Sequence, residues 1–339
     1  MASVPTSDIP LFSSVASYRE WRRKAYDATQ SVGFVATMGA LHEGHASLVR
    51  RSLAENDLTV VSIFVNPAQF APHEDLATYP RTLPHDLEVL SLLKVQTTSG
   101  VHSPSAVFVP SVYDMYPSGI SQNPAEQKGT FVEVKGFGHQ MEGTTRPTFF
   151  RGVATVVTKL FNVIEPTRTY FGQKDIQQAL LLRRMVRDLL LSHPTPENLH
   201  IVPTARDPTS SLALSSRNTY LTPAEREHAA PTLYAALNAG RDAWAAGLRK
   251  AECIQRAREL VQGKTNVLGP DGIEVKLDYI EMNDADSFEV VPENESRTSW
   301  EAEVAGRPVL LSGAMWVGKT RLIDNIILGN EASLGVLRP

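Results

Sequence analysis

The residues with the greatest chemical potential stand in one short run, Thr37-Met38-Gly39-Ala40-Leu41-His42-Glu43-Gly44-His45. Gly39 and Gly44 carry no Cβ, so the backbone there can come close to a ligand. A helix opens behind them, and its first turn offers unpaired N–H groups and a positive dipole end to phosphate. Two imidazoles three residues apart share a face of that turn. They can donate to an α-phosphate as charge builds on it during nucleotidyl transfer, which is preorganised electrostatic catalysis. Two readings compete: ordinary histidines at a helix start, and a metal pair. The metalloprotease pattern is His-Glu-x-x-His, however, and this run is one residue short of that i,i+4 spacing. No protein metal ligand is assigned.

Other polar groups leave predicted strand ends or loops. In Leu214-Ser215-Ser216-Arg217-Asn218, two hydroxyls and a guanidinium can clamp phosphate oxygens. Such a loop alone is usually a surface turn; its place before a helix N-cap, at a predicted domain seam, brings the phosphate reading level with that one. In Gly172-Gln173-Lys174-Asp175, Lys174 can neutralise phosphate and Asp175 can cap the following helix. Asn66-Pro67-Ala68-Gln69-Phe70 also leaves a strand. Gln69 and Gln178 offer donor and acceptor to a ligand with hydroxyls and a carboxylate, and Tyr79 and Arg146 add polar and cationic groups. Gly313 to Thr320 matches the phosphate-binding P-loop letter for letter. A P-loop needs a long helix after it, within a parallel sheet. Arg321 to Leu328 reads as strand instead, so the match is rejected in favour of a hairpin.

These groups need a scaffold. Val32–Ala36, Leu58–Val65, Ala106–Pro110, Thr169–Phe171 and His200–Val202 read as short buried parallel strands. Between them His45–Glu55, Pro84–Leu93, Arg151–Ile164 and Asp175–Leu191 carry apolar residues at helical spacing, and Arg19–Lys24 reads as the solvated face of a first helix. The alternation implies an open parallel sheet with ligands at the carboxyl ends of its strands. After Thr204 the pattern changes to helices over Thr222–Gly247 and Lys250–Gly263, then antiparallel strands over Ile273–Met282 and Pro308–Leu328. The expectation is an α/β chain: a Rossmann-like domain over 1–204 and a smaller α+β domain over 205–339 covering the active site. Lys94–Ser105, Gly119–Gly129 and Asn283–Gly306 read as polar surface insertions.

Composition sets the limits. A chain of 339 residues holds two domains, three at most. With 42% hydrophobic and 21% charged residues it is too apolar for a disordered chain. Cys253, the one cysteine, can form neither an intrachain disulfide nor a cysteine-based zinc site, which fits a reducing compartment. A net charge of −4 gives no overall pull toward nucleic acid or anionic lipid. No apolar run nears the roughly 20 residues that span a bilayer, and Met1 to Ser31 lacks the apolar core of a secretory signal. The cytosol is the expected location.

Taken in order, the motifs resemble the pantothenate synthetase (pantoate–β-alanine ligase) family over about residues 10–328. The resemblance is carried by Val35 to His45, Val61 to Pro67 with Gln69-Phe70, and Tyr79 to Thr82. It continues in Glu142-Gly143, Arg146-Pro147, Phe150 to Val157, Tyr170 to Gly172, Lys174-Asp175, Gln177-Gln178, Arg184 to Asp188, Leu214 to Asn218 and Val317 to Asn325. It implies a nucleotidyltransferase-type Rossmann domain related to class I aminoacyl-tRNA synthetases, acting as a homodimer. ATP and pantoate would give pantoyl adenylate and pyrophosphate, with Mg²⁺ needed, and β-alanine would then displace AMP.

Carried over by position, ATP would be lined by Met38, Gly39, Ala40, Leu41, His42, Glu43, Gly44 and His45. Gly172, Gln173, Lys174, Asp175, Ala205, Leu214, Ser215, Ser216 and Arg217 would add further contacts. His45 takes the proton-donor place, with His42, Lys174 and Arg217 beside it in catalysis. Gln69 and Gln178 match the pantoate-binding glutamines, with Met38, Asn66, Tyr79 and Arg146 around them. Three departures stand out: Gln173 where the family has Glu, Ala36 where it has Pro, and a longer Arg206–Leu212 segment without the family's Gly. The alternatives are an adenylyltransferase of the same superfamily acting on a phosphate nucleophile, and a catalytically dead adenylate-binding protein.

Overall fold

The computed structural model describes residues 7–71, 76–267, 272–304 and 306–338. They divide into two compact units, one running to Gly172 and including Gln177–Val202, the other formed by Gln173–Ile176 and Pro203–Arg338.

The first unit runs β1 (Leu11–Phe12), α1 (Val15–Asp27), β2 (Val32–Thr37), α2 (Glu43–Glu55), β3 (Leu58–Ile63), α3 (Leu83–Leu92), β4 (Val95–Thr97), β5 (Gly100–His102) and β6 (Ala106–Phe108). It continues through α4 (Val112–Met115), α5 (Glu142–Thr145), α6 (Phe149–Ile164), β7 (Arg168–Gly172), α7 (Ile176–Asp188) and β8 (Leu199–Val202). Six strands form the expected parallel sheet in the order β1-β6-β3-β2-β7-β8. β2 is buried along almost its whole length, as a central parallel strand with both faces covered should be. From β2 the chain winds outward through β3 and β6, then returns to lay β7 on the other side. The switch point therefore lies between β2 and β7, and the crevice beyond their carboxyl ends is where such sheets bind ligands. Thr37 and Gly172 end those two strands.

The second unit contains α8 (Thr232–Ala245), α9 (Lys250–Val267), β9 (Val275–Asp284), α10 (Arg297–Glu303), β10 (Val309–Val317) and β11 (Thr320–Leu328). Its strands form an antiparallel sheet in the order β11-β10-β9, with a core that includes Leu237, Trp244, Ile254, Leu311 and Met315. Val317 pairs with Thr320 across a two-residue turn, with Gly318 at φ +53°. The P-loop lookalike is thus strand, turn and strand, and Lys319 sits at the tip.

Four segments differ from expectation. Arg19–Lys24 is not wholly a solvated face, because Arg22 is buried and donates to the carbonyls of Ile164 (3.2 Å) and Glu165 (3.0 Å). The helix over Thr222–Gly247 is interrupted: Glu225–Ala229 forms a π-turn, and α8 begins only after Pro231. Proline has no N–H to continue the α-ladder, and the Ala230 N–H bonds to the Glu225 carbonyl instead (2.8 Å). Residues 94–105 contain the antiparallel β4–β5 hairpin, with His102 Nδ1 at 3.0 Å from the Leu53 carbonyl. Residues 283–306 are not a simple surface insertion, because Phe288, Val291 and Trp300 are buried there. Lys250, itself almost wholly buried, pairs with Glu281 (2.7 Å) and Glu293 (2.6 Å). The segment's large buried residues, Phe288, Val291 and Trp300, come singly, and that hid its anchoring.

Candidate active site

The loop leaving β2 is held open from behind. Thr37 Oγ1 donates to the Ser62 carbonyl (2.7 Å) and accepts from the Gly39 N–H (3.3 Å). Gly39 and Ala40 both take positive φ, +85° and +50°, and at Gly39 that conformation favours the absence of a Cβ. Asp86 of α3, fully buried, accepts the N–H groups of Ala40 (3.2 Å) and Leu41 (2.7 Å) and the Thr82 hydroxyl (3.2 Å). The sequence reading missed Asp86. Its one signal was an acid on the apolar stripe of Leu87 and Leu90.

At the start of α2 the two histidines form a reciprocal cap. His42 Nδ1 accepts the Gly44 N–H (3.0 Å), and His45 Nδ1 accepts the His42 N–H (3.4 Å). Their rings lie 4.1 Å apart. A ring nitrogen that accepts an N–H carries no hydrogen, so each neutral ring bears its proton on Nε2. The sequence spacing becomes a pair of oriented Nε2–H donors. Glu43 turns to its own helix, where Arg50 pairs with it and holds its carboxyl below the ordinary range.

Beyond β3 the chain makes a 3₁₀ turn, Pro67–Gln69. Gln69 Nε2 stands 3.2 Å from Met38 Sδ, and the Gln69 carbonyl accepts from Arg146 (3.1 Å). The Arg146 guanidinium lies over the Phe149 ring at 4.0 Å. Tyr79 packs edge-on against Phe70. Gly152 of α6 lets this turn dock, since a Cβ there would run into the Ala68 carbonyl. Met38, Asn66, Gln69 and Arg146 are therefore brought together. Gln178 lies half-buried in the first turn of α7, and among the described residues no hydrogen bond joins it to Gln69. Its neighbour Gln177 is buried, accepting the Glu142 N–H (3.0 Å) and donating to the Gln140 carbonyl (2.8 Å). Gln177 thereby ties down the segment that leads to Arg146.

In the second unit, Lys174, Ser215, Arg217, Tyr234 and Arg321 line one cleft. Lys174 Nζ lies 3.5 Å from Asp175. Ser215 caps a 3₁₀ turn, its hydroxyl accepting the Arg217 N–H (3.3 Å). The longer Arg206–Leu212 segment closes as a tight hairpin. Leu214 N–H bonds to the Ala205 carbonyl (2.9 Å), Arg206 bridges Ala213, and Ser211 takes a φ of +62°. The Asp207 carboxyl accepts from Ser210 and Thr209, and those bonds hold it below the usual carboxylate range. Two adjacent residues of β11 steady both segments. Asp324 makes a bidentate pair with Arg206 (2.6 and 2.9 Å). Asn325 Nδ2 donates to the carbonyls of Gln173 (2.9 Å) and Lys174 (3.0 Å), while its Oδ1 accepts from Gln173 Nε2 (3.4 Å). Gln173 thus uses its amide on Asn325.

The family model for pantoate-beta-alanine ligase matches residues 10–327. The pantothenate synthetase of Moorella thermoacetica is 44% identical over 94% of this chain and 98% of its own length. The pantoate–β-alanine ligase of Saccharomyces cerevisiae is 41% identical over 94% and 99%. Among solved structures, a pantothenate synthetase from Thermus thermophilus is similar at a TM-score of 0.73 and 36% identity, covering 94% of this chain and 99% of that one. A pantoate–β-alanine ligase from Francisella tularensis, complexed with β,γ-ATP and β-alanine, is similar at 0.63 and 30% identity, covering 94% and 97%.

Proposed function

This chain belongs to the pantoate–β-alanine ligase family, and on that premise we propose how its residues divide the work of an ATP-dependent ligase joining pantoate to β-alanine. In the first step a pantoate carboxylate oxygen attacks the α-phosphorus of ATP. The bond to the β-phosphate breaks, pyrophosphate leaves, and pantoyl adenylate forms. In the second step the β-alanine amine attacks the acyl carbon. The acyl–oxygen bond breaks, AMP departs with that oxygen, and the amine gives up a proton.

His42 and His45 stabilise the α-phosphate as its charge grows, with His45 as the principal donor. The supporting observation is that both imidazoles have Nδ1 occupied by backbone N–H, so both carry Nε2–H. Donors fixed before the reaction need no reorganisation during it. Lys174, Ser215, Ser216 and Arg217 hold phosphate oxygens; the backbone of Met38 to Gly44, with Gly172, Gln173, Asp175, Ala205 and Leu214, lines the nucleotide. Gln69 and Gln178, with Tyr79 and Arg146 beside them, orient pantoate. Mg²⁺ bound with the triphosphate would neutralise part of its charge. Among the described residues no group of three or more His, Cys, Asp or Glu forms a cage for it.

We assign residues 1–204 to the ATP- and pantoate-binding domain and 205–339 to the smaller domain, and propose a cytosolic homodimer that acts on small molecules without nucleic acid or membrane. Among the described residues no helix is long and apolar enough to cross a membrane. ATP–pyrophosphate exchange tests the reading: pantoate alone should support it, and AMP should accumulate only when β-alanine is added. Exchange that instead needs a phosphorylated co-substrate would make the chain an adenylyltransferase.

A further inference from the structure

Asn66 was expected to touch the substrate, but hydrogen-bond accounting leaves it nothing to offer. The residue is 1% exposed. Its Oδ1 accepts from the Tyr116 hydroxyl (2.7 Å) and the Ala68 N–H (3.4 Å). Its Nδ2 donates to the Gly152 carbonyl (3.2 Å) and to Gln69 Oε1 (3.1 Å). An asparagine amide has two hydrogens and two lone pairs, and all four are engaged.

The orientation of that amide follows from groups with only one possible role. A backbone N–H can only donate, so the atom facing Ala68 is oxygen. A backbone carbonyl can only accept, so the atom facing Gly152 is nitrogen. The second Nδ2 hydrogen therefore points at Gln69, and the Gln69 atom meeting it must be Oε1. Gln69 is left to present its NH₂ group on the other side, toward Met38 Sδ. Tyr116 makes the shortest of the four bonds to the Asn66 amide. It is 3% exposed, its ring faces Lys159 Nζ at 3.9 Å, and Lys159 in turn donates to the Met115 carbonyl (2.6 Å). Burial pushes the Tyr116 phenol above its ordinary range, so the hydroxyl keeps its proton and stays a donor.

We infer that Tyr116 and Asn66 are positioning residues that lock the Gln69 amide so that it meets its ligand as a donor only. Resting on the proposal that Gln69 reads pantoate, the relay selects a ligand with an oxygen acceptor at that place, as the carboxylate and hydroxyls of pantoate provide. A ligand presenting an N–H there meets no acceptor.

The test is a two-substrate kinetic matrix on full-length variants, with melting temperature as the folding control. Asn66→Asp keeps the shape but cannot donate. Gln69 should then turn its nitrogen toward the new carboxylate and its oxygen toward the ligand. The pantoate KM should rise about tenfold, with the ATP KM within about twofold. Tyr116→Phe keeps the ring and its contact with Lys159; it should raise the pantoate KM about threefold. In a Gln69→Ala background Tyr116→Phe should add no more than about twofold, because it acts through that amide. Additive effects in that background, or pantoate and ATP constants rising together, would overturn the relay, and a silent Tyr116→Phe would remove Tyr116 from it. If Gln69→Ala itself leaves the pantoate KM unmoved, the underlying assignment of Gln69 fails instead, and the two failures are told apart by that single variant.

Discussion

An imidazole that accepts a backbone N–H on Nδ1 has only Nε2–H left to give, and His42 and His45 are both in that position at the head of α2. His45→Ala should therefore slow adenylate formation by about 10²–10³, the scale of losing one oxyanion donor, while ATP binding weakens much less. Exchange rates and nucleotide affinity measured on the same variant decide it: equal losses would mean that His45 binds the ground state only. Gln178 is a different kind of residue, half-buried with no hydrogen bond from its amide among the described residues. Gln178→Ala should raise the pantoate KM by roughly ten- to a hundredfold, since an unpaired group in the site costs about 1–3 kcal/mol, and leave the ATP KM nearly unchanged. Gln178→Glu should be worse, because a carboxylate would then face the substrate's own carboxylate. At this scale the sequence showed residue types and local spacing. It could not show Asp86 reaching back to Ala40 and Leu41, or Tyr116 reaching Asn66, because those bonds span 46, 45 and 50 residues.

Elements were legible where burial imposes a pattern. The β2 and β3 strands are nearly continuous apolar runs because both faces of a parallel sheet are covered, and α6 repeats its apolar residues at helical spacing. Where a proline acts on the hydrogen-bond ladder, as at Pro231, or where core residues come singly, as in 283–306, the pattern is too thin to read. β11 shows what an element adds beyond its own strand. Asp324 fixes Arg206 ahead of the Ser215–Arg217 loop, and Asn325 fixes the carbonyls of Gln173 and Lys174. Asn325→Ala would strand those buried carbonyls without a donor, each at a cost of about 1–3 kcal/mol. The variant should melt several degrees lower and show an ATP KM raised about tenfold with the pantoate KM unchanged. Asn325→Asp should do no better, since a carboxylate cannot donate to a carbonyl. If the melting point falls while both constants stay put, Asn325 supports the fold without positioning Lys174.

At the scale of the whole molecule the chain threads from the first unit into the second for the four residues Gln173–Ile176, and returns for α7. That excursion carries Lys174 into the unit that also holds Ser215 and Arg217. The ordered motifs made the family legible along nearly the whole chain, whereas no local pattern reveals that four residues change units, because contact across the chain decides it. An isotope label reports on the reaction of the intact molecule. Pantoate carrying ¹⁸O in both carboxylate oxygens attacks the α-phosphorus through one of them. When the amine displaces AMP, the acyl–oxygen bond breaks, so one ¹⁸O leaves in AMP and the other stays in the amide carbonyl. Mass spectrometry of a completed reaction should find one labelled oxygen in AMP and none in pyrophosphate. Label in inorganic phosphate with ADP formed would mean attack at the γ-phosphorus and an acyl phosphate. The two imidazoles would then have been assigned to the wrong phosphate.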